Sequence, residues 1–241
     1  MKRKKEKKHR LRNWLVNIAI VLLLLVGLAL VFNNQIKDLL ISRMSNYDIS
    51  TLTVEDVKAN EEAAAVFDFD QVEAVSTEAV VKAQLASAPK NAVGGIAVPT
   101  VGINLAIYKG VSDDNLLYGA ATLKPEQKMG EGNYPLASHH MIDKSLLFSP
   151  LFNLKMGEPI YLTDLTNIYT YQTDFIETVA PNQTELIEDV PGKSLVTLVT
   201  CDNQGTARLI IQGTLTVTTP YKDASADMLD AFGLARNNPG N

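Results

Sequence analysis

Hydrophobic patterning divides the chain into three regimes. From Trp14 to Phe32 nineteen residues run apolar with one polar interruption, Asn17. As a helix at ~1.5 Å per residue this stretch covers ~28 Å, close to the hydrocarbon thickness of a bilayer. Residues 33–90 then turn polar. Gln35–Met44 continues the apolar helix as an amphipathic turn or two, Thr53–Ala65 is acidic and alanine-rich, and Ser76 is placed to cap a helix through Leu85. This segment reads as a helical stalk, a spacer with the option of docking on the downstream domain. After Ala88-Pro89 the pattern changes to short apolar runs punctuated by glycine, proline and turn residues, the pattern of an all-β domain. Strands are expected at Gly95–Val98, Ile103–Tyr108, Tyr134–His139, Pro159–Thr163, Ile168–Ile176, Leu195–Cys201 and Ala207–Val217, spaced as in a barrel. Helical turns are expected at 113–117 and 149–154, with a long connection over 177–193. The resulting division is a basic tail (1–13), a membrane helix (14–32), a stalk (33–90), a β-domain (91–222) and a loosely attached, acidic polar tail (223–241).

Charge sharpens the N-terminal reading. Eight lysines and arginines lie within residues 2–12 with one acid, Glu6, which leaves 14 basic against 26 acidic residues and a net charge of −12 after Arg12. A polybasic nucleic-acid arm has no need of an adjoining membrane span, so the tail reads as the cytoplasmic flank of an uncleaved anchor. A cleaved signal peptide has a shorter apolar core and a small-residue cleavage site, and neither is present before Asn33-Asn34-Gln35. Residues 33–241 are therefore expected outside the membrane, and nucleic acid is not expected as a partner.

Candidate chemistry centres on the only cysteine, Cys201, which closes the run Leu195–Cys201. A lone thiol in an exported domain calls for an explanation. It attacks as thiolate, and an ordinary cysteine pKa of ~8.5 leaves little thiolate at neutral pH unless an imidazole or guanidinium lies near. Arg208 follows across Asp202-Asn203-Gln204-Gly205, a turn-forming sequence that would set thiol and guanidinium side by side. His139 and His140 are the only histidines outside the basic tail. Taken singly, each residue has an ordinary structural explanation: a buried small hydrophobe, a satisfied strand-end histidine, a surface ion-pair partner. The adjacent histidines do not form a metal site, because neighbours on a strand point to opposite faces and no second ligand pair accompanies them.

Together the residues resemble the sortase family. Thr197-Leu198-Val199-Thr200-Cys201 resembles its TLxTC signature, Arg208-Leu209-Ile210-Ile211-Gln212-Gly213-Thr214-Leu215 its last barrel strand, and Leu136-Ala137-Ser138-His139 the segment carrying its histidine. The resemblance runs from about Gly94 to Tyr221. An N-terminal anchor, and no Asp-Pro-aromatic lid ahead of the barrel, fit class A best. Ser138 departs from the glycine usual before the histidine. The acidic cluster that binds calcium in one member is not matched over Gln127–Asn133, so neither a metal nor a cofactor is expected.

This resemblance implies an eight-stranded barrel whose substrates are secreted proteins bearing a Leu-Pro-x-Thr-Gly (LPxTG) signal. Cys201 would attack the Thr carbonyl, His139 as imidazolium would protonate the leaving glycine amine, and Arg208 would stabilise the oxyanion. An amine of a peptidoglycan precursor, lipid II, would then resolve the thioacyl-enzyme. Ala121, Ala137, Val179, Val190, Pro191, Val199, Thr200 and Ile211 are the expected substrate-groove residues. Two alternatives stand beside it: an L,D-transpeptidase, whose Ser-His-Gly before the cysteine is replaced here by Val199-Thr200, and a tethered binding module with an inert thiol.

Overall fold

A computed structural model describes residues 2–233 apart from 47, 69–71, 73, 74, 87 and 203–205. Its strands are β1 (Ala92–Val98), β2 (Ile103–Tyr108), β3 (Ala120–Thr122), β4 (Asn133–Ala137), β5 (Pro159–Thr163), β6 (Asn167–Val179), β7 (Leu195–Cys201) and β8 (Arg208–Pro220). They close into a barrel in the order β1-β2-β3-β4-β7-β8-β6-β5, which leaves no unpaired edge for another chain to extend. Two neighbours, β2/β3 and β4/β7, pair in parallel and the rest antiparallel. The barrel interior is filled by β-branched and leucine side chains, among them Ile96, Ile107, Leu136, Val196, Leu198 and Ile211.

The seven expected strand runs all carry strands, and the three-residue β3 is the additional one. Expected β4 ran to His139, whereas paired strand stops at Ala137. Gly94 stands at a bulge in β1 with φ +149°, where a Cβ would run into the Thr163 carbonyl of neighbouring β5.

Helix α1 (Lys2–Val31) contains the candidate membrane span Arg12–Val31, of mean hydropathy 2.8. It is followed directly by α2 (Asn33–Met44), and the two meet at Phe32, whose φ of −96° and ψ of 19° leave helical values; Phe32 N–H donates to the Leu28 carbonyl and Ile36 N–H to the Phe32 carbonyl, both at 2.9 Å. The segment after it is docked, not extended. Ile41 and Met44 of α2, Ile49, and Val80 and Ala83 of α4 (Thr77–Leu85) all join the barrel's main apolar cluster. Between them α3 (Val54–Glu62) is opened by a capping box, Thr53 and Asp56, and ties to β1 through Asn60 Nδ2, which donates to the Ala92 carbonyl at 2.8 Å. The Ser76 hydroxyl caps α4 as expected.

The C-terminal segment corrects an expectation. Residues 223–233 are not loosely attached: α6 (Ala226–Ala231) buries Leu229, and Phe232 beyond it is 2% exposed. A Cβ on Gly95 would lie 2.7 Å from Ile49 and 3.4 Å from Phe232, so the absence of a side chain there lets stalk and tail meet over β1. The acidic, alanine-rich composition conceals a two-residue apolar stripe at i, i+3 spacing, enough to dock one short helix. The remainder of the expected tail, 234–241, lies outside the described residues.

Candidate active site

Strand register brings the candidate chemistry together. In the parallel pair β4/β7 every partner is offset by 62 positions, from Asn133↔Leu195 to Ala137↔Val199. His139 and Cys201 have the same offset. Although formal pairing ends at Ala137, the bonding continues one residue further: Ser138 N–H donates to the Val199 carbonyl (3.2 Å), and the Thr200 hydroxyl donates to the Ser138 carbonyl (2.8 Å). His139 therefore leaves the sheet level with Cys201. On the other side β7/β8 pairs Cys201 directly with Arg208. The connecting hairpin is closed by Asp202, whose N–H donates to the Ala207 carbonyl and whose carboxylate accepts from Ala207 N–H and the Thr206 hydroxyl. The expected turn residues 203–205 lie outside the described ones. His139, Cys201 and Arg208 thus stand in one transverse row at the ends of three adjacent strands, all three partly exposed.

Two residues back along the same strands, and so on the same face, lies a second row. Ala121, Ala137, Val199 and Ile210 are successive cross-strand partners on β3, β4, β7 and β8. They form a small apolar cluster with Val111 and Leu116, separate from the barrel interior, and Val179, Leu186, Ile187, Leu123, Phe175 and Val72 pack against it. The cluster lies one row from the level of Cys201, where the expected groove would run.

Four of the expected groove residues, Ala121, Ala137, Val199 and Val179, belong to that cluster. The other four do not. Ile211 points the opposite way, fully buried in the barrel interior, and Ile210 takes its place. Thr200 is also on the opposite side of its strand, 2% exposed, with its hydroxyl bonded to Ser138. Val190 and Pro191 are exposed, and the 177–193 connection reaches the cluster through Leu186 and Ile187 instead. Ile210 was open to detection as the i+2 neighbour of Arg208. Nothing in the local pattern distinguishes Leu186 and Ile187 from Val190.

Polar side chains pin that connection against the barrel. Buried Asn133 donates through Nδ2 to the carbonyls of Leu186 and Glu188, both at 3.0 Å, and accepts from the Thr197 hydroxyl at 2.7 Å. Gln212 Nε2 adds a bond to the Leu186 carbonyl at 2.9 Å. The Asp189 carboxylate accepts from Asn133 N–H and pairs with Lys124 at 2.6 Å, and these donors hold it below the usual carboxylate range. These bonds fix the connection against the barrel beside the apolar cluster.

The two histidines are electrostatically distinct. Burial pushes the His139 imidazole down to about 4, against a smaller upward pull from Asp113 at the start of α5 (Asp113–Tyr118), so the resting ring is a neutral base. For His140 desolvation is again the largest influence and lowers the pKa, while hydrogen bonding to the backbone of Asp202 and Cys201 favours the cation. Its ring stacks on Phe152, with centroids 4.8 Å apart, and its Nε2 lies 2.8 Å from Lys144 Nζ. His140 therefore braces the hairpin, whereas the His139 ring, at the level of the row, is the more strongly desolvated of the two. A thiol, a neutral imidazole and a guanidinium beside an apolar cluster suit nucleophilic acyl transfer with an anionic intermediate.

Comparison with known proteins gives the same direction. A Sortase domain family model matches residues 96–216. Sortase A of Streptococcus agalactiae is 42% identical over 98% of both chains, and Sortase A of Listeria monocytogenes is 39% identical over 81% of this chain and 89% of its own. The solved structure of Listeria monocytogenes sortase A superposes with a TM-score of 0.55 at 39% identity, covering 60% of this chain and 99% of that one.

Proposed function

Because this chain belongs to the sortase family, as a class A sortase and thus a transpeptidase that anchors surface proteins, we propose that Cys201 is its nucleophile and an LPxTG sorting signal its substrate. The observation that supports this most is the shared row of His139, Cys201 and Arg208, set by the β4/β7 and β7/β8 registers. The Leu-Pro part of the signal lies along the floor of Ala121, Ala137, Val199 and Ile210, walled by Leu186 and Ile187.

The His139 imidazole starts neutral. Transfer of the thiol proton to His139 generates the reactive thiolate–imidazolium form without a change in total proton count. Sγ then adds to the Thr carbonyl, and Arg208 stabilises the oxyanion, a contribution worth ~3 kcal/mol in comparable sites. The C–N bond to glycine breaks as His139 returns its proton to the departing amine, leaving a thioester on Cys201. An acceptor amine, that of lipid II in this reading, gives a proton to His139, attacks the thioester and expels the thiolate. The product is an amide linking surface protein to wall precursor.

With α1 across the membrane and its basic end in the cytoplasm, residues from 33 onward lie outside, near both exported substrate and lipid-linked acceptor. Mass spectrometry of the full chain in detergent, given an LPxTG peptide with and without an amine, tests the assignment. A thioacyl adduct on Cys201 that the amine converts to product is expected, and it is absent from Cys201→Ala. Failure to detect an adduct while Cys201 remains alkylatable overturns it.

A further inference from the structure

His139 lies two residues beyond the last paired residue of β4, so the sheet ladder itself does not hold it. The residue between, Ser138, is bonded in three directions. Its N–H donates to the Val199 carbonyl at 3.2 Å and its carbonyl accepts from the Thr200 hydroxyl at 2.8 Å, both on the β7 side. Its own hydroxyl donates at 2.7 Å to the Gly119 carbonyl on the opposite side, in a bond buried from solvent. Ser138 is 5% exposed and reaches neither the groove nor solvent.

Gly119 ends α5: its N–H closes that helix on the Asn115 carbonyl, and its lack of a side chain permits close approach to the Ala106 carbonyl of β2. The same short helix presents Asp113, the acidic group that acts on the His139 imidazole. The Ser138 hydroxyl consequently joins two pieces that must keep fixed relative positions, the backbone carrying the imidazole and the helix carrying its carboxylate neighbour. An alanine or glycine at 138 retains the two β7-side bonds but has no donor for Gly119.

We propose that Ser138 is a positioning residue for the transfer reaction: its hydroxyl, clamped on Gly119, fixes His139 level with Cys201. This rests on His139 being the acid–base residue, and the test separates the two. The full chain in detergent is assayed for transfer of an LPxTG peptide to a soluble amine, with Ser138→Ala, Ser138→Thr and His139→Ala measured alongside thermal unfolding.

In Ser138→Ala kcat is expected to fall about tenfold, since a misplacement of order 1 Å at a reacting group costs up to ~100-fold. KM is expected to stay within about twofold, because the groove is untouched, and Ser138→Thr, which keeps the hydroxyl, regains most of the rate. Unchanged kcat in Ser138→Ala, beside an inactive His139→Ala, overturns the proposal and leaves the catalytic assignment intact. A kcat loss that Ser138→Thr does not relieve, or one that tracks only the unfolded fraction, also overturns it. Activity retained in His139→Ala instead removes the premise.

Discussion

Asn133→Ala tests whether the groove wall is held in advance. The wild-type side chain donates to the carbonyls of Leu186 and Glu188 and accepts from Thr197, three bonds in a residue only 1% exposed. At ~1 kcal/mol net for each bond the truncation removes about 3 kcal/mol, less whatever Thr197 recovers by turning to the Leu186 carbonyl. Gln212 still holds Leu186, so the connection loosens without detaching. For a chain of this size ~1 kcal/mol corresponds to ~2–4 °C, so a loss of about 5–10 °C in Tm is expected. In the proposed reading Leu186 and Ile187 wall the groove without touching the reacting atoms, so KM for an LPxTG peptide should rise several-fold with kcat within about twofold. Hydrogen exchange at 186–189 should accelerate in parallel. A variant with unaltered KM and unaltered exchange at those amides would falsify the idea that these bonds preorganise the wall. Lys124→Ala provides the contrast: its partner Asp189 is 67% exposed, so the ion pair is worth under ~1 kcal/mol and Tm should barely move.

The two histidines should separate under substitution, with His139→Ala nearly inactive in peptide transfer and His140→Ala keeping most activity; equal losses in both would reverse their assigned roles. Acid should destabilise the fold through His139. The unfolded chain binds its proton near 6.5 and the folded chain only near 4, so stability falls as pH drops through that window, by at most about 3 kcal/mol. Denaturant titrations from pH 7 to pH 4 should record the slope, and His139→Gln should flatten it; a parallel slope in the variant refutes the cause. Phe232→Ala empties a buried site over Gly95 and should cost ~3–5 kcal/mol, read as a Tm loss of about 6 °C or more. Deletion of residues 1–87 strips Ile41, Ile49 and Val80 from the main cluster, and the remaining domain should unfold at clearly lower temperature than a chain beginning at 33.

Local physics carried the features legible in advance. Turn residues after Cys201 announced the antiparallel pairing with Arg208, because a hairpin of that length brings its flanks into register. His139 was different: a parallel pair has no local turn to fix its offset, and only the folded β4/β7 register reveals that 62 positions is the distance between level residues. Face assignment failed where alternation vanished. Leu209, Ile210 and Ile211 are all apolar because β8 is covered on both faces at that level, and a continuous run carries no parity. β3 is too short to have a period, and it exists because β2 and β4 offer it backbone partners on either side. The groove wall at Leu186 and Ile187 depends on Asn133, more than fifty residues away, and that information is held by no local segment.

The docking of α2 and α4 on the barrel gives the N-terminal segment a mechanical character. A flexible tether would let the thiol explore a hemisphere above its attachment point. Here α2 is fixed to the barrel by Ile41 and Met44, so bending between α1 and the barrel is confined to the junction at Phe32, where the backbone leaves helical dihedrals. In the proposed orientation, with α1 across a membrane, the barrel then stays within the length of one short helix of the lipid, about 18 Å for the twelve residues of α2.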